Sequence, residues 1–488
     1  MRLAHLVVPD LIVPHGFADL EISDITADSR AVRQGTLFAA LPGSRSDGAT
    51  FIPQAIQSGA AAVLVPDTAD LGTLSVPLLR ARDVRRALAL MAARLYAGQP
   101  ATAVAVTGTN GKTSVVEFTR QIYAALGRQA ASLGTIGLVK PDGGVYGSLT
   151  TPDPVSLHRM LSGLAAEGVT HVAFEASSHG LDQRRLDGVA LSAAAFLNLG
   201  RDHLDYHPTV DDYFAAKLRL FDTLLEAGKH AVVYTDDTRA QAVIDTATRR
   251  GHRVLTVGET GDLLRLDDLR PDGFGQRLRV RAENRQYDIR LPLLGGYQAA
   301  NALVAAGLAI ATGEETDAVL AALENLKGVS GRLDVVGEAD GGLVVVDYAH
   351  KPEALEAALK ALRPFASGKL ICVFGCGGDR DRGKRPIMGR IAVENADHVI
   401  VTDDNPRSEV AAAIRAEILS GAGGATEIGD RAAAIAAAIA MMGQGDVVLI
   451  AGKGHETGQI IGDTVIPFSD HDEARKALAD RASGRHGS

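Results

Sequence analysis

The chain has 488 residues, of which 46% are hydrophobic, 22% charged and 4% aromatic, with no tryptophan and a formal net charge of -9. That length fits about three domains and the apolar content is ample for buried cores, whereas the acidic balance and the scarcity of aromatic rings argue against nucleic-acid binding. The apolar run Leu6-Val7-Val8 is cut by Pro9 without a small-residue cleavage site, and no run approaches the ~18 apolar residues of a membrane span, so a soluble, cytoplasmic protein without membrane insertion is expected.

Residues 1 to 82 read as short strands and turns with one helix, carrying Asp28-Ser29-Arg30, Leu37-Phe38-Ala39-Ala40 and a polar turn from Gly43 to Gly48. A helix from about Asp83 to Tyr96, with Leu88, Met91, Ala92 and Leu95 on one face, ends at Gly98 and Pro100 and opens a second domain. Apolar strands at 103 to 107, 171 to 175, 193 to 198 and 230 to 234 then alternate with helices at 112 to 126, 210 to 227 and from Tyr297 to Ala311. After Gly331 the alternation resumes, with strands at 343 to 347, 369 to 374, 398 to 402 and 446 to 451. Such alternation predicts an α/β fold with mostly parallel sheets. We expect three domains: a small α/β domain over 1–82, a central phosphate-loop domain over 83–330 and a Rossmann-like domain over 331–488. Cys372 and Cys376 lie four apart around a strand end, a spacing that suits neither a zinc pair nor a redox motif, and read as buried thiols.

The chemistry begins at Ala103 to Ser114, a strand that breaks into Gly108-Thr109-Asn110-Gly111-Lys112-Thr113-Ser114. Two glycines let backbone N–H groups turn toward phosphate oxygens, Lys112 supplies a charge for the β and γ phosphates, and the Thr113 hydroxyl can ligate Mg²⁺ at a helix start. The first glycine of the usual loop would fall at Val106, so this loop is a variant. Ligands of open α/β sheets bind beyond the carboxyl ends of strands. Beyond 171 to 175 stands Glu175-Ala-Ser-Ser-His-Gly-Leu-Asp-Gln-Arg-Arg, and beyond 193 to 198 stands Asn198-Leu-Gly-Arg-Asp-His-Leu-Asp-Tyr-His. Glu175 and His203 could meet at the loop's magnesium, although hard cations prefer oxygen and His203 alone reads better as a hydrogen-bonding residue. Lys217 alone reads as a surface lysine. In the last third, Arg380, Arg382, Lys384 and Arg385 crowd after one strand as a candidate carboxylate or phosphate clamp, and Asp404-Asn405-Pro406-Arg407 and Ala451-Gly-Lys-Gly-His-Glu456 end two others.

Gly-Thr-Asn-Gly-Lys-Thr, the Glu175 and His203 segments and the Asp-Asn-Pro-Arg loop, in this order, resemble the Mur ligases, ATP-dependent amide-bond formers of bacterial cell-wall synthesis. The resemblance implies three domains and an enzyme that joins meso-diaminopimelate to UDP-N-acetylmuramoyl-L-alanyl-D-glutamate through an acyl phosphate, with Mg²⁺ and ATP and as a monomer. It places Ser29 and the Ser44-Arg45-Ser46 turn on the uridine diphosphate, and Thr150, Thr151, Ser177, Gln183 and Arg185 on the muramoyl peptide. Lys112, Glu175, His203 and Lys217 become catalytic, with Glu175 and His203 on a second magnesium and Lys217 carbamylated beside it. Asn301, Arg332 and Asp347 join the loop residues around ATP, and Arg380, Asp404, Asn405, Pro406, Arg407, Gly452 and Glu456 hold diaminopimelate. Leu149 and Gln298 stand where the family often has Asn. Alternatives are an L-lysine-adding relative, a folylpolyglutamate-synthetase-like ligase or a non-enzymatic nucleotide switch.

Overall fold

The computed structural model describes residues 1–43, 47–145, 150–203 and 206–484. They gather into two compact units, Met1–Arg265 with Val304–Val319, and Leu266–Leu303 with Leu320–Ser488.

In the first unit, α1 (Leu3–Leu6), β1 (Leu11–Ile12), β2 (Asp24–Thr26), β3 (Thr36–Ala39), α2 (Ile52–Gln57), β4 (Ala60–Pro66) and β5 (Leu78–Ala81) form a sheet of order β1-β5-β4-β3-β2. It is parallel except for β1. The sequence predicts one helix here, whereas the described residues hold two α-helices: α1 is a single turn, too short for a periodic pattern, and α2 carries Pro53 in its first turn. The helix α3 (Val84–Leu95) follows, its N-terminus capped by Asp83, which accepts from the Arg86 N–H.

The larger sheet of this unit contains β6 (Thr102–Thr107), α4 (Lys112–Ala125), β7 (Ala130–Gly134), β8 (Gly137–Lys140), β9 (Gly143–Val145), α5 (Pro154–Ala166), β10 (His171–Glu175), α6 (Ser178–Asp182), β11 (Ala193–Phe196), α7 (Val210–Arg219), β12 (His230–Tyr234), α8 (Ala240–Arg249), β13 (Arg253–Gly258) and the start of β14 (Leu264–Asp272). The order runs β14-β13-β12-β11-β6-β10-β7-β8-β9. The strand β6 therefore lies between β10 and β11, parallel to both. Chain order reverses around β6, so the segments after all three strands emerge at one crevice, the switch point of a doubly wound sheet. The expected helix over 210 to 227 ends at Arg219 and relaxes into a wider π turn over Leu220–Leu224.

In the second unit, β15 (Gly275–Ala282) and β16 (Arg285–Leu291) pair antiparallel, and β15 lies next to β14 in the sheet. Along β15, Leu278, Val280 and Ala282 are buried while Arg277, Arg279 and Arg281 face out, a period of two that the expected alternation of strands and helices overlooks. The chain continues through α9 (Gly296–Ala311) and α10 (Thr316–Ala322), which cross the division between units. A six-stranded sheet follows, from β17 (Asp334–Ala339), β18 (Gly342–Asp347), α11 (Pro352–Leu362), β19 (Leu370–Phe374), α12 (Lys384–Asn395), β20 (His398–Val401), α13 (Ala411–Leu419), β21 (Thr426–Glu427), α14 (Arg431–Met441) and β22 (Val447–Ala451). Its order is β17-β18-β22-β19-β20-β21, parallel except for β17. Consecutive residues of β18, β19 and β22 are all buried because helices cover both faces, as their unbroken apolar runs require. A hairpin of β23 (Gly458–Ile461) and β24 (Thr464–Pro467) and a last helix, α15 (Asp470–Ala482), close the unit. Cys372 and Cys376 are buried and free. No helix among the described residues is long and apolar enough to cross a membrane.

An ion pair sealed in this unit fixes α14 against α15. Arg431 and Asp470 side chains are both 0% exposed, with Nε–Oδ1 and Nη2–Oδ2 distances of 2.7 Å, and Arg431 also donates to the Ala451 carbonyl at 3.0 Å. Removing one partner of such a pair strands a buried charge. Asp470→Ala is expected to destabilise the second unit by about 3–5 kcal/mol, read as faster amide exchange in α14 and α15 together with a lower urea midpoint; unchanged exchange there would contradict the assignment.

Candidate active site

The loop after β6 takes the shape that its glycines permit. Gly108 has φ 158° and Gly111 φ 85°, and a Cβ on Gly108 would lie 2.9 Å from that of Leu197. Asn198, just past β11, splints the loop: its Oδ1 accepts from the N–H groups of Thr109 at 3.2 Å and Asn110 at 2.9 Å, and its Nδ2 donates to the Asn110 carbonyl at 3.2 Å. Lys112 heads α4 and donates to the carbonyls of Gly108 and Thr109, both at 2.9 Å. Thr113 and Ser114 are buried in the first turn of α4.

The Thr113 hydroxyl donates to Glu175 Oε1 at 2.9 Å. Glu175 is 1% exposed and also accepts from the Thr135 N–H at 2.7 Å, while a Cβ on Gly134 would meet its Oε1 at 2.2 Å, so a larger residue there would displace the carboxylate. The Thr135 hydroxyl meets that of Thr150 at 3.2 Å. Thr151 donates to the Glu175 carbonyl at 2.9 Å and pairs with the Ser177 hydroxyl at 3.0 Å. Arg185 donates to the Thr151 carbonyl at 2.6 Å and to Gln183 Oε1 at 2.8 Å. Thr113, Glu175, Thr135, Thr150, Thr151, Ser177, Gln183 and Arg185 thus form one hydrogen-bonded group. Thr135 and Gly134 escape the sequence reading, although the glycine and threonine after apolar 130–133 are the signal of a strand end.

Lys217 is not a surface lysine. It is 1% exposed, donates to the Gly108 carbonyl at 2.7 Å and lies 4.3 Å from the centroid of the Tyr213 ring. Burial, and then the charge of Lys112, push its pKa well below the usual lysine value, with Asp202 opposing. His203, at φ 54°, sits among rings, 4.8 Å from His179 and 6.0 Å from Tyr213 between centroids. Thr113 and Glu175 offer oxygen donors that fit Mg²⁺, which takes few protein ligands and completes its shell with phosphate and water. Elsewhere in the unit, Ser29 lies on a short turn capped by Asp28, its hydroxyl 3.4 Å from Gln54 Oε1. Ser44, Arg45 and Ser46, like Leu149, lie outside the described residues.

In the second unit, Asn301 is buried and its Nδ2 donates to Gln298 Oε1 at 2.9 Å, while Gln298 donates to the Arg332 carbonyl at 3.2 Å. The Arg332 guanidinium lies 5.2 Å from the Tyr348 ring. Burial raises the Asp347 carboxyl to about 6 against the pull of Arg332 and of the Leu333 N–H, which donates to it at 2.7 Å.

At the far strand ends, Asn405 is a bracket. Its Oδ1 accepts from Lys453 Nζ at 3.0 Å and the Ile460 N–H at 2.9 Å, and its Nδ2 donates to Glu456 Oε2 at 2.9 Å. The 0%-exposed Lys453 also reaches Glu456 Oε2 at 3.2 Å. Gly452, at φ 118°, leaves room for Asp404, whose Oδ2 a Cβ would meet at 2.7 Å. Arg407, beyond Pro406, is left-handed at φ 51°, donates its N–H to Ile460 at 3.0 Å and gives one Nη1 hydrogen to the Gly378 carbonyl at 2.8 Å. The expected four-cation clamp does not form. Arg380 stays exposed, with Nη1 on the Asp379 carbonyl at 3.2 Å; Arg382 pairs with Glu417; Lys384 donates to the His350 carbonyl at 2.7 Å; and Arg385 is fully buried. Glu409 and Glu417 hold two of these cations, Arg385 and Arg382, in ion pairs that only their proximity in the fold reveals.

Three family models match in order: the Mur ligase family, catalytic domain, over residues 21–96; the Mur ligase middle domain over 106–309; and the Mur ligase, glutamate ligase domain, over 331–454. The chain is 57% identical over 487 residues to the UDP-N-acetylmuramoyl-L-alanyl-D-glutamate--2,6-diaminopimelate ligase of Bradyrhizobium diazoefficiens, covering 99% of this chain and 100% of that one. It is 54% identical to the protein of the same name from Brucella melitensis, covering 99% of each. A solved structure of a ligase of that name matches with a TM-score of 0.75 at 33% identity over 99% of both chains. Given this identity from end to end, the chain belongs to the Mur ligase family.

Proposed function

We propose that this chain is the ATP-dependent ligase that joins meso-diaminopimelate to the D-glutamate of UDP-N-acetylmuramoyl-L-alanyl-D-glutamate, acting in the cytoplasm as a monomer. The near full-length identity to ligases named for diaminopimelate supports the substrates. The observation that carries the chemistry is the junction of Lys112, Thr113 and Glu175 at the switch point of the sheet. Three domains, 1–82, 83–330 and 331–488, belong to the same reading, supported by the separate sheets of β1–β5, β6–β16 and β17–β22.

The loop from Gly108 to Ser114 cradles the phosphates of ATP, to which Arg332 adds its charge, while Asn301 serves the adenine and Asp347 the ribose. Thr150, Thr151, Ser177, Gln183 and Arg185 orient the muramoyl peptide, and Ser29, Ser44, Arg45 and Ser46 take the uridine diphosphate. Thr113, Glu175, His203 and a carbamylated Lys217 hold magnesium, which when bound neutralises phosphate charge and polarises the transferring group. A glutamate γ-carboxylate oxygen attacks the γ-phosphorus, the bond to the β-phosphate oxygen breaks and ADP leaves. An amine of diaminopimelate then attacks the acyl carbon, loses a proton and expels phosphate. Lys112 stabilises the charge that develops on the transferring group. Arg380, Asp404, Asn405, Pro406, Arg407, Gly452 and Glu456 form the amino-acid site, in which the Arg407 guanidinium takes the distal carboxylate that lysine lacks.

A phosphate-release assay tests this reading. Release should require the UDP-muramoyl dipeptide and diaminopimelate together, and L-lysine should substitute poorly; Arg407→Ala should erase that preference. Basal hydrolysis unaffected by either substrate would favour a nucleotide switch instead. Lys217 adds a separate check, because a buried amine with a depressed pKa is neutral enough to bond CO₂, and the carbamate offers oxygens to a hard cation. Crystals grown with bicarbonate and Mg²⁺ should show a carboxylate group on Nζ, and a bare amine in metal-loaded crystals would refute it.

A further inference from the structure

Arg385 is 0% exposed, yet it carries a charge, which four oxygens of three residues surround. Its Nη1 and Nη2 grip both oxygens of Glu409 at 2.9 and 2.8 Å, Nη1 also reaches Glu417 Oε2 at 2.8 Å, and Nη2 reaches the Gly377 carbonyl at 3.2 Å. Glu409 lies two residues past Arg407 and also accepts from the Asp379 N–H at 2.7 Å. Asp379 in turn accepts from the Ser408 hydroxyl at 2.6 Å and its N–H at 3.2 Å. The Gly378 N–H donates to the Asn405 carbonyl at 2.8 Å, and a Cβ on Gly378 would fall 1.9 Å from the Pro406 carbonyl oxygen. The segments after β19 and β20 are thus laced face to face, with the Arg385–Glu409 pair as the charged tie on one side of Arg407.

We propose that Arg385 and Glu409 are positioning residues for amino-acid specificity, holding the left-handed Arg407 so that its guanidinium meets the distal carboxylate of diaminopimelate. A non-glycine residue at φ 51° is strained and persists only where its surroundings over-determine it. Here the hairpin holds the Arg407 backbone from one side, through its N–H on Ile460 and the Gly462 N–H on its carbonyl at 2.8 Å, and the Glu409 tie holds the following residues. One Nη1 hydrogen is committed to Gly378, and a guanidinium retains a two-donor edge for a carboxylate beyond that bond. Through Arg407 the pair influences the one contact by which diaminopimelate and lysine differ.

This inference rests on the reading of Arg407 as the carboxylate receptor, and the ratio of kcat/KM for diaminopimelate to that for L-lysine tests both. Glu409→Gln keeps the shape and removes the charge, and should lower the ratio on the order of tenfold, as for one weakened charge-assisted contact, through a higher KM for diaminopimelate with KM for ATP and the UDP substrate unchanged. Glu409→Asp, which retains the charge, should recover part of the loss. Ser408→Ala, an exposed change that removes one bond of the lacing, should shift the ratio in the same direction by about twofold and serves if Glu409→Gln does not fold. A ratio unmoved by these variants while Arg407→Ala collapses it would overturn the positioning role alone. A wild-type enzyme that uses lysine as well as diaminopimelate would instead remove the reading beneath it.

Discussion

Two lysine amines converge on one carbonyl oxygen, and the rest of the first site follows from that crowding. Lys112 and Lys217 both donate to Gly108, at 2.9 and 2.7 Å, in a crevice where Lys217 has almost no contact with water. Two full positive charges that close, partly desolvated, repel by a few kcal/mol at an effective dielectric of ~20. That repulsion disfavours a full charge on both amines at once. Burial biases Lys217 toward the neutral amine, and the glycine turn beside Lys112 is shaped for phosphate. The loop can hold this arrangement because Asn198 fixes its amides from a neighbouring strand and Gly108 has no side chain to strike Leu197.

Much of this was legible in the chain. The phosphate loop, the carboxylate of Glu175 and the parallel alternation are local patterns, and local patterns survive the passage from sequence to fold. The burial of Lys217 is hard to read from the chain because a lysine on a helix is ordinarily exposed, although its i+4 and i+3 spacing from the buried Tyr213 and Phe214 puts it on the inner face of α7. The strand β7, with Gly134 and Thr135 at its end, is hard to read for a related reason: Ala130, Ala131, Ser132 and Gly134 are small and offer little periodicity, and the contact with Glu175 exists only after the sheet is assembled. The charged face of β15 concealed a strand in the same way.

In the second unit the sequence shows which residues cluster but not what each one does. Four cations after β19 look alike as letters, yet Glu409 and Glu417 claim Arg385 and Arg382 and leave Arg380 exposed. Asn405 is a similar case, with its amide committed to Lys453, Ile460 and Glu456, so it shapes the site by holding Glu456 and the hairpin in place. A motif of this kind works as a scaffold as much as a contact list, and substitutions around it act at one remove from the ligand.

The central claim is that phosphoryl transfer to a carboxylate precedes amide formation, and the fate of one oxygen atom tests it directly. If the D-glutamate γ-carboxylate of the UDP substrate is labelled with ¹⁸O and turned over with ATP, Mg²⁺ and diaminopimelate, the acyl-phosphate route carries one labelled oxygen into each phosphate released. Mass spectrometry of that phosphate should show the label in step with amide product. Unlabelled phosphate accompanying labelled substrate and amide formation would contradict the account.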